Sequence, residues 1–223
     1  MKILAFDTST EWCTAALWLD GELLVSEVEA GQSHSQLLLP MLARLLAEAE
    51  LTLGGLDGLA FGRGPGAFTG LRIACSVVQG LGMGAGLPVV GVMTLEAMAE
   101  ETAAERVLAC LDARMGELYG AEFERRGQEW SVAAGPGLYR PEDLPLPGGT
   151  GWVGCGNGFA AHGEVLRSRA GGQARAIRPQ VIPHARSIAR LAAARFARGE
   201  GGAAEDAQPY YLRDKVALKR SER

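Results

Sequence analysis

One pattern occurs twice in this chain and limits what it can fold into. An apolar run closes on an aspartate, a second apolar run follows, and a glycine turn ends the unit. The first copy spans residues 3–21, with Asp7 and Gly21; the second spans residues 106–127, with Asp112 and Gly127. A unit repeated at nearly equal internal spacing points to internal duplication, and so to a two-lobed fold. In the first copy, residues 12–19 and 22–29 flank Asp20-Gly21. Asp-Gly between two β-rich runs predicts a hairpin, because the tight type I′ turn needs positive φ. The first half therefore opens with a three-stranded meander.

A helix follows from Ser33 or Ser35 to Glu50, with Pro40 inside it. Either that helix begins near Leu39 or it is kinked at the proline. Residues 56–61 read as a strand, 62–70 as a glycine-rich loop, 71–85 as a helix and 88–92 as a strand. Thr94 is expected to cap a helix over 95–101. This order predicts an α/β fold with a mixed sheet and helical crossovers. The second half reads as strands over 106–111 and 117–124, a long Pro/Gly-rich loop over 135–149, and a strand over 152–155. Helices over 159–167 and 188–198 and a flexible link over 199–207 complete it. The lobes are assigned as 1–102 and 103–223.

The chain has 223 residues, 48% hydrophobic, enough for one large core or two modest ones. No run of about 18 uncharged apolar residues suggests a membrane helix. The first segment reaches Asp7 too early for a signal-peptide core. Cys13, Cys75, Cys110 and Cys155 are scattered in apolar settings without Cys-x-x-Cys spacing, which suits buried reduced thiols. These features predict a cytoplasmic protein. The net charge of −4 argues against a stand-alone nucleic-acid binder. Lys215, Lys219, Arg220 and Arg223 make the tail basic, either as a solvated end or as a phosphate contact.

The first two helices are apolar nearly all round. Between Leu37 and Ala47 the one charge is Arg44, and Arg72 is the lone charge on the second helix. An ordinary surface helix has one stripe and a polar back. Two such helices in succession suggest that a face carrying Leu38, Met41, Leu42, Leu45, Ile73, Val77 and Leu81 meets a partner. The alternative is that both pack wholly within the chain. Gly80, Gly82, Gly84 and Gly86 permit close backbone approach at a cost of about 1 kcal/mol each in a helix interior.

Candidate chemistry is sparse. The 62–70 loop precedes a helix N-terminus, as phosphate loops do, but it is no Walker motif, and Pro65 and Phe68 suit a structural turn equally. Asp7, Thr8 and Ser9, in the turn that ends the first strand, could face nucleotide phosphates or a metal, or close a simple Asx or Ser/Thr turn. His34 is followed four residues on by Leu38, so that helix lacks a His-x-x-x-His metal pair, and His162 and His184 lack partners at ligand spacing. No catalytic constellation stands out.

Five segments together carry a family resemblance: Ile3-Leu4-Ala5-Phe6-Asp7-Thr8-Ser9-Thr10; His34-Ser35-Gln36-Leu37-Leu38-Leu39-Pro40-Met41; Gly64-Pro65-Gly66-Ala67-Phe68-Thr69-Gly70-Leu71-Arg72-Ile73; Asp112-Ala113-Arg114-Met115-Gly116-Glu117-Leu118-Tyr119; and Pro209-Tyr210-Tyr211-Leu212-Arg213-Asp214. Over nearly its whole length the chain resembles the bacterial TsaB family, also called YeaZ. The resemblance implies an actin/Hsp70-like ATPase-type (ASKHA) fold of two duplicated lobes with mixed sheets. It implies a part in making threonylcarbamoyladenosine beside the tRNA anticodon, as a non-catalytic paralogue of the catalytic subunit TsaD. TsaD carries a metal-binding His-x-x-x-His on its first helix; the matching positions here are His34 and Leu38. The resemblance further implies a heterodimer with TsaD, the ATPase TsaE as a further partner, tRNA contact through the complex, and a homodimer through the first two helices when alone. ATP would be used by the complex and no cofactor required by this chain, with residual nucleotide binding left open. The competing reading is an independent ATP-binding enzyme of the same fold, a small-molecule kinase or a peptidase-like protein.

Overall fold

The computed structural model describes residues 1–127 and 129–213. The basic tail, with Lys215, Lys219, Arg220 and Arg223, lies outside the described residues. The first sheet contains β1 (Lys2–Asp7), β2 (Trp12–Leu19), β3 (Glu22–Glu29), β4 (Gly58–Gly64) and β5 (Val89–Met93) in the order β3-β2-β1-β4-β5. The second contains β6 (Arg106–Arg114), β7 (Glu117–Arg126), β8 (Glu129–Tyr139), β9 (Trp152–Cys155) and β10 (Ala174–Arg178) in the order β10-β9-β6-β7-β8. The orders match once β1 is set on β6 and each later strand on its counterpart. Both sheets are mixed: β1 pairs antiparallel with β2 and parallel with β4, and β6 does the same with β7 and β9. The duplication expected from Asp7…Gly21 and Asp112…Gly127 is therefore present in the topology.

The central strands are apolar on both faces because both faces are covered. Along β1, Leu4 and Phe6 enter a core beneath α1 (His34–Glu48) and α2 (Phe68–Ala85), while Ile3 and Ala5 enter the opposite one. That opposite core is closed by Ile188, Ala189 and Ala192 of α6 (Ala185–Ala197). Along β6, Val107, Ala109 and Leu111 pack with Leu95 and Met98 of α3 (Thr94–Glu101). Leu108 and Cys110 pack on the other side with Phe159 of α4 (Gly158–Ala161) and Leu166 of α5 (Gly163–Ala170). The halves thus exchange a helix: α3 lies under the second sheet and α6 under the first.

Several local expectations are corrected. The first helix begins at His34, not near Leu39, and continues through Pro40. Thr94 is the first residue of α3 rather than its cap; its hydroxyl is buried without a partner among the described residues. Residues 62–64 extend β4 instead of forming loop, and α2 already starts at Phe68. Residues 129–139 form β8, although 135–149 reads as loop. The ladder accommodates Gly135-Pro136-Gly137 through register shifts opposite Gly120 and Glu122. The helix expected over 159–167 is two helices parted at His162, and β10 had no sequence forecast. The segment 199–207 is packed, not a flexible link. Gly202 exchanges backbone hydrogen bonds with Val89 at 2.9 and 3.0 Å, and Ala204 is buried against Gly82. All four cysteines are buried and free, as their settings suggested.

Candidate functional site

A cleft of about 690 Å³ separates the two lobes. One wall is the Thr8-Ser9-Thr10 turn and the first turn of α2; the other is Asp112, Arg114 and Asn157, with Tyr211 and Arg213 alongside. Asp7 turns away from it. Its carboxyl is 1% exposed, and Oδ1 accepts the Ser9 N–H at 2.8 Å and the Ser9 hydroxyl at 2.7 Å. Oδ2 has no partner among the described residues and abuts Gly62, where a Cβ would stand 1.7 Å away. Burial pushes the Asp7 pKa up to about 6, with the Ser9 hydrogen bonds opposing it.

The other two expected nucleotide contacts are also engaged within the chain. The Thr8 hydroxyl donates to the Gly70 carbonyl at 2.7 Å, and the Ser9 hydroxyl is taken by Asp7. The glycine loop lies directly on this turn. A Cβ at Gly66 would come within 2.5 Å of the Ser9 carbonyl oxygen, and one at Gly70 within 1.8 Å of that of Thr8. The Ala67 N–H donates to the Ser9 carbonyl at 2.7 Å. These glycines serve close backbone packing on the turn, while the same segment also lines the cleft.

On the second wall Asp112 occupies the position equivalent to Asp7, but its side chain, 16% exposed, lines the cleft. Its Oδ1 accepts the Arg114 N–H at 2.9 Å, and its own N–H donates to Asn157 Oδ1 at 2.9 Å. Arg114, Met115 and Gly116 turn the β6–β7 hairpin with φ of 63°, 56° and 77°, a run that two non-glycine residues rarely adopt. Arg213 reaches this hairpin and pairs with Glu117 at 2.5 Å. Sequence reasoning missed Asn157 and Arg213 as cleft residues. The symmetry of Asp112 with Asp7, and the Pro209–Arg213 motif, were the available signals.

The metal position of the resembling family does not fit a metal here. His34 is 6% exposed, with Nε2 3.3 Å from the Trp12 carbonyl, and Leu38 is fully buried. Among the described residues no three His, Cys, Asp or Glu side chains cluster as a metal site.

The helical face expected to meet a partner divides in two. Leu38, Leu42 and Leu45 point inward and are 0–2% exposed in the first-lobe core, so they are corrected from surface to core. Met41, Ile73, Val77 and Leu81 pack against the edge of that core but stay partly exposed, beside exposed Leu39 and Met83. Among the described residues, and apart from the helix's own backbone, nothing lies within 4 Å of where a Cβ would stand at Gly80 or Gly84. A groove of about 420 Å³ runs between α1 and α2, lined by Ser35, Phe68, Arg72, Ile73 and Val77.

Known proteins agree with this architecture. The TsaD family model, described as tRNA N6-adenosine threonylcarbamoyltransferase, matches residues 27–219. The tRNA threonylcarbamoyladenosine biosynthesis protein TsaB of Escherichia coli is 39% identical, over 99% of this chain and 98% of its own. Its Haemophilus influenzae namesake is 34% identical over 99% and 97%. The solved structure of YeaZ from Pseudomonas aeruginosa superposes with a TM-score of 0.88 at 40% identity, covering 95% of this chain and 99% of that one. Near-complete coverage at this identity, on an actin-like ATPase-type fold of two duplicated mixed sheets, places the chain in the TsaB (YeaZ) family of tRNA threonylcarbamoyladenosine biosynthesis proteins.

Proposed function

We propose that this chain is a non-catalytic subunit of the tRNA threonylcarbamoyladenosine pathway, acting by docking a TsaD-type relative on the outer face of α1 and α2. The observation that carries the reading is that face: half-buried Met41, Ile73, Val77 and Leu81 beside exposed Leu39 and Met83, with Gly80 and Gly84 open for a close helix. A partner of the same fold presents the equivalent two helices, giving a four-helix contact. The same surface serves a homodimer when the partner is absent, so the two assemblies compete. TsaE and tRNA join through the complex, which uses the ATP. The glycine loop packed tightly on the Thr8–Ser9 turn, the inward Asp7 and the unfit metal position support a subunit without its own transfer chemistry.

The test is reconstitution with TsaD, TsaE and the enzyme that makes threonylcarbamoyl-adenylate, read as tRNA modification. Modification is expected to need this chain, and Val77→Glu is expected to abolish it. A charge left unpaired in the contact costs about 3–5 kcal/mol, while Val77 is only partly buried at the edge of the core, so a thermal melt of the free variant checks that it stays folded. Leu42→Glu cannot serve, because Leu42 is 2% exposed in the chain's own core. Modification that proceeds equally without this chain, or with the Val77 variant, overturns the reading. The cleft of about 690 Å³ favours a second one, an independent ATP-binding enzyme. Saturable ATP turnover by the isolated chain would put that reading in first place.

A further inference from the structure

The two lobes are joined at one end by packed helices. At that end Glu101 of α3 takes Arg186 and Ser187 of α6, and Glu96 takes Arg195 at 2.7 Å. The opposite end is the open cleft, and residues 207–213 run across it. This segment first lies on the first lobe. The Ala207 carbonyl accepts from Gln79 Nε2 at 2.9 Å, and the Tyr210 N–H donates to the Arg63 carbonyl at 2.6 Å. Tyr211 stacks at 5.5 Å on Phe68, and its hydroxyl accepts from Arg72 Nε at 3.2 Å. The segment then passes to the second lobe. Leu212 packs into the core beneath α3, and Arg213 reaches the β6–β7 hairpin. Its guanidinium, 13% exposed, pairs with Glu117 at 2.5 Å, donates to the Arg114 carbonyl at 3.4 Å and touches Met115 Sδ at 3.1 Å.

We propose that residues 207–213 are a clasp that fastens the lobes across the cleft, with the Arg213–Glu117 pair as its catch. The placement supports a device rather than plain packing. The first-lobe end is held by stacking and backbone bonds, whereas the second-lobe end depends on Leu212 and the Arg213 guanidinium, whose polar contacts among the described residues all fall on the β6–β7 hairpin. The Arg213–Glu117 pair closes on a hairpin whose turn is held at positive φ by two non-glycine residues, so the hairpin relaxes when the catch is released. Glu117 is a third exposed, so water can take its carboxylate when the catch opens. The clasp sets how far the cleft opens, and it does so whether or not a partner docks on α1 and α2.

The test uses the full chain with spin labels at Gln32 and Ala160. Both are exposed, one in each lobe, and the four native cysteines are buried. In Arg213→Ala the interlobe distance distribution is expected to lengthen and broaden. Hydrogen exchange at the amides of residues 114–118 is expected to rise about tenfold, with both sheets unchanged. Glu117→Gln is expected to do the same, and the double variant to be no worse than either single one. An unchanged distance distribution, a faster exchange spread evenly over both sheets, or additive effects in the double variant would each overturn the clasp.

Discussion

At the scale of single residues, two buried groups should leave opposite marks on the pH dependence of stability. Asp7 keeps its proton to about pH 6 in the fold against an ordinary value of 3.8, so the folded state binds the proton more tightly. Its contribution is harmless below the ordinary value, falls as pH rises from there to about 6, and stays lost above, a penalty of about 3 kcal/mol. Asp7→Asn should erase that fall, seen as a stability difference from the parent that grows between those pH values in urea titrations and then levels. A flat difference would show that Asp7 ionises freely. His184 works the other way. Its Nδ1 accepts the Arg186 N–H at 3.1 Å as the cap of α6, so Nε2 carries the proton and donates to Glu27 at 2.7 Å. Burial holds its pKa below 6.5, with Arg186 helping and Glu101 and Glu27 opposing. Its stabilisation is present above the ordinary value and is lost as pH falls below it, when the folded ring is forced to take a proton. His184→Ala should cost about 1 kcal/mol at neutral pH through the lost cap, and less as the pH is lowered. Equal costs at both pH values would contradict this. The sequence placed Asp7 at a turn correctly but could not say which way the carboxyl points. Gly62, whose lack of a side chain makes room for Oδ2, is 55 residues away on a neighbouring strand.

At the scale of elements, the glycines of α2 separate internal from external demands. Gly80 has open space around it, so Gly80→Ala should raise monomer stability by about 1 kcal/mol. Gly80→Leu should keep the fold while obstructing any helix that approaches there. Gly82→Ala should instead destabilise by about 1–3 kcal/mol, because its Cβ would stand 2.5 Å from that of buried Ala204. Thermal melts of the variants read the sign directly, and the same sign at both positions would refute the assignment of faces. These elements also show where the sequence was readable. β2 and β3 fall at their expected residues, because Asp20-Gly21 and two β-rich runs are local signals. β8 was hidden by Gly135-Pro136-Gly137, which reads as loop until β7 supplies an irregular ladder. The packing of 199–207 was hidden too, since its partners are Val89 and Gly82, far back in the chain. For α1, composition showed that an unusual share of the surface is apolar. It could not sort Leu38, Leu42 and Leu45, which are buried in the core, from Met41 at its edge and Leu39, which is exposed.

At the scale of the molecule, the duplication was legible because each half carries its own strand, acid and glycine signature. The exchange of helices was not, because neither α3 nor α6 bears a mark of which sheet it will cover. That exchange has a thermodynamic consequence. Without α6, the face of the first sheet formed by Ile3, Ala5, Ala60, Val90 and Val92 would meet water, and without α3 the second sheet would lose its cover over Val107, Ala109 and Phe123. Neither half therefore owns a complete core, and the lobes should unfold as one unit despite the cleft between them. Ile188, fully buried in α6, is the sharpest probe. Ile188→Ala should cost about 2–5 kcal/mol and lower the unfolding of both lobes together. Two probes separate this from independent lobes: Trp18 reports on the first sheet and Trp152 on the second. With the remaining tryptophans, Trp12 and Trp130, replaced by phenylalanine, and each reporter followed alone, the two denaturation curves should coincide in the parent and shift equally in Ile188→Ala. If the Trp18 curve moves while the Trp152 curve stays, each lobe folds by itself and the exchanged helices are only decoration on two finished cores.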